Sequence, residues 1–479
     1  MPISRRPAIS NLGRTATRML VIGTTFLVTA AQTRTSLTYR PAPVDNPLKG
    51  LVPYQADVRD RFPHSLEFNY VPYSALVKGV DRFDWQAIEH LLDDIASRGH
   101  QAVIRIYLEY PGKSGVIPTF LIESGLKVHR YVNTNTQPFA SATVETPDYE
   151  DAHLRKSLRS FIMAFGKKYD GDPRLGFITA GLLGTWGEWH THPRTELFAS
   201  KAVQEEVMDT YEAAFRVTPI LLRYPAGAGN DLKAANAHRR FGYHDDSFAW
   251  ATLRTGKTGQ DWFYMAALKQ AGHRAEEKWK THPIGGEIRP EAWGIVFDDP
   301  PSRPEVQDFN RCVQETHVTW LMDSGLFAKP PSADRVARAR RHVREMGYEF
   351  HVSAVTLGTV DRTPANRDRR VLDIAVEVEN RGVAPFYYPW KTEYGLLSEN
   401  GHKTPKIIPG NGHLMGLLPG NSARIWRESL DLQGIPSGRY TLAIRVPNSL
   451  RQGNPVRFAN AEQDRDAPTW CSLGTVDIP

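Results

Sequence analysis

Between Pro47 and Phe327 the chain alternates short apolar runs with helix-patterned segments, and it does so eight times. The candidate strands are GLVPYQ (50–55), LEFNYVPYSAL (66–76), AVIRIYLEYP (102–111), LGFITAGLLGTWGEWH (175–190), PILLRYPA (219–226), FGYHDDSFA (241–249), HPIGGEIRPE (282–291) and VTWLMDSGLF (318–327). Between them lie segments with apolar residues at helical spacing, such as FDWQAIEHLLDDIASRGHQ (83–101), with Asp84 as a candidate N-cap and Gly99 as a stop. The segments 148–173, 200–217, LKAANAHRR (232–240), 266–280 and 304–317 read the same way. Eight strand–helix units over this length fit an α/β chain folded as a (β/α)8 TIM barrel, here spanning 47–330. An open doubly wound sheet is the alternative, but no G-x-G-x-x-G follows an early strand. A proline-punctuated insertion at 112–147 reads as a loop long enough to overhang a site.

The pattern changes after a basic linker helix (331–350). VLDIAVEVENRGVAPFYYPW (371–390), ARIWRESLDL (423–432) and GRYTLAIRVPN (438–448) alternate with period two between Gly and Pro turns. Residues 351–479 therefore read as a β-sandwich of immunoglobulin-like kind. With 479 residues, more than one core is expected.

At the other end, Arg5, Arg6, Arg14 and Arg18 precede the apolar run MLVIGTTFLVTAA (19–31) and small residues at Ala30–Ala31. This is the pattern of a cleaved signal peptide at 1–31, too short for a membrane span. It predicts an exported protein, periplasmic or extracellular, with a mature N-terminal extension at 32–46 and no stable membrane span. The net charge of +6 owes much to those four arginines, so nucleic acid is not an expected partner. Cys312 and Cys471 are too few for a disulfide framework and read as two isolated buried thiols.

In such a barrel, chemistry belongs to the C-terminal ends of the strands. The fourth candidate strand ends in Glu188, between Trp186 and Trp189 and followed by His190. The seventh ends in Glu287, with Arg289 two residues on. The third offers Arg105, Tyr107 and Glu109, the fifth Arg223, the sixth Tyr243, His244 and Asp246, and the eighth Trp320. Two carboxylates facing one another across a barrel mouth suit glycosidic bond cleavage, in which one protonates the leaving oxygen and the other attacks or activates water. Indoles around Glu188 would raise its pKa and suit the acid/base, while Arg289 and Arg105 near Glu287 would keep it ionised as nucleophile. The remaining residues are candidate contacts to a carbohydrate, with aromatic faces for sugar rings. A non-catalytic carbohydrate-binding or surface protein on the same barrel is the alternative. The E-x-H-x-H spacing of Glu188, His190 and His192 is not that of a zinc helix, and no metal or cofactor is expected.

The strand-four GTWGEW glutamate and the strand-seven GGE glutamate resemble the large clan of barrel glycoside hydrolases with the acid/base on strand four and the nucleophile on strand seven. That resemblance implies a retaining mechanism with Glu188 as acid/base and Glu287 as nucleophile. Gly187 stands where the clan carries the asparagine that binds the sugar 2-hydroxyl, a task left to His190, Arg105 or Tyr243. NPLKGLVPY, GLLGTWGEWH, PIGGEIRPE and GYHDDSF are, more closely, similar to a bacterial family catalogued as a domain of unknown function. Its members look like exported barrels with a β-sandwich tail.

Overall fold

The structure is a computed structural model that describes residues 33–57, 62–133, 141–328, 331–362, 370–398, 406–420 and 422–479. The expected signal segment lies outside the described residues. Eight parallel strands form one sheet in the order Gly50–Val52, Trp320–Met322, Ile284–Ile288, Gly242–Phe248, Ile220–Arg223, Leu175–Thr179, Gln101–Tyr107, Leu66–Pro72. The two edges meet where Phe68 N donates to Pro53 O at 2.8 Å, next to a parallel bridge between Tyr54 and Phe68. The fold is therefore a (β/α)8 barrel, nearly closed, and the strands are numbered first to eighth below in chain order.

Local chemistry explains the helices. Gln86–Ser97 starts where Asp84 accepts from Gln86 N at 3.0 Å and ends before Gly99, whose φ of +78° suits glycine. Ala152–Tyr169 is capped by Asp151 and Lys201–Ala214 by Ser200, each accepting from a backbone N–H in the first turn. The insertion after the third strand is a short helix, Thr119–Glu123, and a hairpin, Val128–Asn133 with Ala142–Pro147.

Two readings of the sequence need correction. LKAANAHRR forms no helix, because the buried Asn236 side chain binds the backbone of Ala226 and Tyr224 instead and organises an irregular loop. The fourth strand stops at Thr179, so Glu188 stands not at a strand end but nine residues on, inside a folded-back loop.

Beyond the helix Ala333–Glu345 come two four-stranded antiparallel sheets. One has the order Thr33–Ser36, Phe350–Arg362, Arg370–Asn380, Arg424–Asp431. Residues 33–36 thus supply an edge strand to the C-terminal sheets. The other has the order Lys406–His413, Lys391–Ser398, Gly438–Arg445, Cys471–Ile478. Their inner faces share a single buried cluster with Val52, Phe68, Val103, Phe177 and Trp320 inside the barrel. A second cluster fills the space between barrel and helices. Polar ties cross the same junction: Lys49 Nζ donates to Tyr348 O at 2.8 Å, Tyr387 OH to Trp279 O at 2.6 Å, and Tyr388 OH to Gly176 O. Both cysteines are buried and unbridged. Among the described residues no helix is long and apolar enough to cross a membrane.

Candidate active site

Arg105 is the hub. It lies on the third strand, 1% exposed, and all of its guanidinium nitrogens are engaged. Nε donates to Thr179 Oγ1 at 2.9 Å. One terminal nitrogen donates to Tyr70 OH at 2.9 Å and to Glu188 Oε1 at 2.8 Å; the other meets His244 Nε2 at 2.6 Å. Burial opposes the Arg105 charge, but Tyr70, Glu188 and Glu287 outweigh it and hold the group firmly cationic. Since arginine only donates, His244 Nε2 accepts and its ring is neutral. Burial, then the Arg105 and Arg223 charges, push the His244 pKa well below its ordinary value.

The loop between Ala180 and His192 carries Glu188. It is held by Trp189 N to Leu183 O at 2.9 Å, Thr185 N to His190 O at 2.7 Å, and Trp189 Nε1 to Ala180 O at 2.7 Å. Leu182, Trp186 and Trp189 have positive φ, a concentration of backbone strain found mostly where a side chain must be aimed, and Gly184 and Gly187 take the same region freely. Gly187 has φ +70°, and a Cβ there would stand 3.0 Å from Gly181 Cα and 3.3 Å from Ile106 O. Glycine suits this close-packed left-handed turn, at the position where the clan pattern carries asparagine.

Glu188 and Glu287 are each buried to 7% exposure. Their surroundings differ from those the sequence suggested. Trp189 is in the core and Trp186 lies beside His190, ring centroids 6.1 Å apart. Its partner is Arg105, with His190 Nε2 at 3.6 Å from the other carboxylate oxygen. Glu287 has no help from Arg289, which binds Glu291 at 3.0 Å. Burial, then the Glu188 charge, push the Glu287 carboxyl well above the usual carboxylate range, with Arg105 opposing and Asp246 adding to the shift. Burial therefore biases Glu287 toward its protonated form. Asp246 faces Arg223 at 2.5 Å, and Arg223 also donates to Glu188 O at 3.3 Å.

Other expected contacts sit in the walls. Tyr243 OH donates to the buried Asn236. Trp320 is fully buried against Phe177 and His244, and a Cβ on Gly285 would come within 2.3 Å of its ring. Glu109 accepts from Thr146 and Tyr149, both at 2.5 Å, and Tyr149 OH accepts from Gly184 N at 2.7 Å. Glu109 thus braces the Glu188 loop. Tyr107 is buried, its hydroxyl 3.3 Å from Lys113 Nζ.

The sequence reading passed over several site residues. Tyr54, Tyr70 and Tyr110 surround the carboxylates closely enough for the Glu287 and Glu188 charges to raise their pKa values, burial being the larger cause, with Tyr110 at about 12. Trp262 is 45% exposed and lines a small hollow with Tyr224, His244 and Asp246. Its only sequence signal was the aromatic run WFY (262–264) in a connecting loop.

Glu188, His190 and Asp246 lie close enough to hold a metal ion. Two of the three are already neutralised by Arg105 and Arg223, which leaves little attraction for a cation. A second cluster, His64, Glu67 and His100, lies near the start of the second strand, where Glu67 pairs with Arg98 at 2.7 Å and His100 at 2.6 Å.

No protein-family model and no curated protein matches the chain. Its structural neighbours are glycoside hydrolases. Endoglycoceramidase II from Rhodococcus sp. is 12% identical, with 82% of this chain and 99% of that one covered at a TM-score of 0.40. The catalytic domain of β-amylase from Paenibacillus polymyxa is 8% identical over 63% and 99%, at 0.39. An endoglucanase from Pseudomonas stutzeri in complex with cellobiose is 11% identical over 64% and 95%, at 0.35. The fold assignment rests on the strand order itself.

Proposed function

We propose that the protein is an exported glycoside hydrolase that cleaves a polysaccharide or oligosaccharide with the carboxyl pair Glu188 and Glu287. The observation that carries this reading is the pairing of two buried glutamates of unlike environment around one arginine. Such a pair separates the acid from the ionised carboxylate, the division glycoside hydrolysis needs. The environments support an assignment opposite to the one the clan resemblance implies. Glu287, whose carboxyl pKa is raised by burial, is the general acid toward the leaving oxygen. Glu188, facing Arg105, is the carboxylate that attacks the anomeric carbon or activates water. Arg223, His190, Trp186 and Trp262 are placed for the sugar.

Leaving-group dependence tests the assignment. A substrate with an activated aryl leaving group needs little protonation. Glu287→Ala is expected to keep turnover on that substrate while losing it on the natural linkage, by about 100-fold or more. Glu188→Ala is expected to lose both. The reverse pattern overturns the assignment.

One observation favours a second reading, that of a non-catalytic carbohydrate binder. Glu188 already spends one oxygen on Arg105 at 2.8 Å and is only 7% exposed. Under that reading Glu188→Gln leaves sugar binding in place and there is no turnover to lose.

A further inference from the structure

Beside the carboxylates stands a lysine, Lys233, that the proposed hydrolysis leaves unused. Tyr224 follows the fifth strand with φ +70°, a left-handed backbone held by Asn236 Nδ2 donating to its carbonyl at 3.0 Å. Two cations lie over its ring, Lys233 Nζ at 3.4 Å and the Arg223 guanidinium at 3.9 Å from the centroid. Ring faces attract cations, but two side by side on one ring repel. Arg223 has its counter-charge in Asp246. Lys233 has none: among the described residues no ion pair or hydrogen bond reaches its half-buried ammonium. Burial and then the Arg223 charge push the Lys233 pKa well below its ordinary value, and Asp246 only partly offsets them.

The lysine is nonetheless held in place. Its backbone N–H donates to Asn230 Oδ1 at 2.8 Å. Its neighbours Leu232 and Ala234 are tied to Gln204 on the helix Lys201–Ala214, at 2.9 Å each. Loop and helix thus fix a lysine amine with no ion-pair partner next to the site, with Arg223 beside it reaching to the Glu188 carbonyl. Arg105 is matched by Glu188 and Arg223 by Asp246. The group missing from this charge pattern is one anion near Lys233.

We propose that Lys233 and Arg223, gathered on Tyr224, form a subsite for the carboxylate of an acidic sugar unit, so that the substrate is a uronic-acid-containing glycan. This rests on the reading of the site as a carbohydrate site. A carboxylate there would accept from Lys233 Nζ and from the outer face of the Arg223 guanidinium, restoring neutrality.

The test uses a panel of homo-oligouronates and the same oligomers after carboxyl reduction to neutral sugars, titrated calorimetrically against the full chain. The acidic forms of at least one pair are expected to bind about tenfold tighter or more, the scale of one charge-assisted hydrogen bond. The advantage should shrink with added salt and vanish in Lys233→Met, with the reduced oligomer binding as before. Lys233→Arg, which keeps the charge, should retain a preference, and melting curves check that both variants fold. Equal binding of acidic and reduced forms, or a preference that survives Lys233→Met, overturns the subsite and leaves the carbohydrate site standing. No binding of either form across the panel overturns both.

Discussion

At the scale of single residues, the site turns on who neutralises whom. Arg105 belongs to Glu188, Arg223 to Asp246, and the Glu287 pKa is pushed up because burial and the neighbouring Glu188 charge make ionisation costly. This has a consequence for pH. If Glu287 is the acid, turnover falls as pH rises through its raised pKa. Asp246 contributes to that elevation, so Asp246→Asn is expected to move the alkaline limb of the kcat/KM profile to lower pH. A limb that stays in place or moves up would take Glu287 out of the acid role. Much of this was legible as residue identity: Glu188, Glu287, Arg105, Arg223, His244 and Asp246 were all singled out from strand-end positions. Their pairing was not. Sequence proximity suggested Trp186 and Trp189 for Glu188 and Arg289 for Glu287, whereas the partner of Glu188 comes from 83 positions away and Arg289 turns to Glu291. Lys233 carried no signal at all, since an isolated lysine in a segment that reads as a helix looks like solvated surface.

At the scale of elements, the loop bearing Glu188 matters most. GLLGTWGEWH reads as strand because its residues are apolar, yet Leu182, Leu183 and Trp189 are apolar because the loop folds into the barrel wall. Burial pattern alone cannot separate a buried loop from a buried strand. The loop leans on Glu109 through Tyr149, and burial raises the Glu109 carboxyl from 4.5 to about 7, opposed by the bonds from Thr146 and Tyr149. A carboxyl raised on folding contributes stability that is fully present below its unfolded pKa and lost as pH rises through the folded one. Hydrogen exchange corrected for intrinsic rates should therefore show amides of 180–192 and of the hairpin losing protection between about pH 5 and about pH 8. Glu109→Gln should flatten that dependence. Protection that is constant with pH in the parent chain would contradict the bracing role.

At the scale of the whole molecule, the C-terminal sheets complete the barrel rather than append to it. Period-two patterning made the sheets readable and the eight-fold alternation made the barrel readable, but nothing local showed that Phe68, Phe177 and Trp320 share a core with Tyr348, Phe350 and Tyr388. The strand Thr33–Ser36, pairing with Phe350–Arg362, joins the same unit. Ending the chain after Glu345 would strip one side of that core, and the truncated barrel is expected to be recovered unfolded or aggregated, as judged by circular dichroism. A soluble, cooperatively melting barrel would mean the sheets only decorate it. What the complete molecule does is most directly read by incubating it with polysaccharides and oligouronates and measuring released reducing ends. The account predicts release by the parent chain and a loss of about 100-fold or more in both Glu188→Gln and Glu287→Gln, with folding intact. Release that both variants retain, or none from the parent on any glycan that it binds, would contradict it.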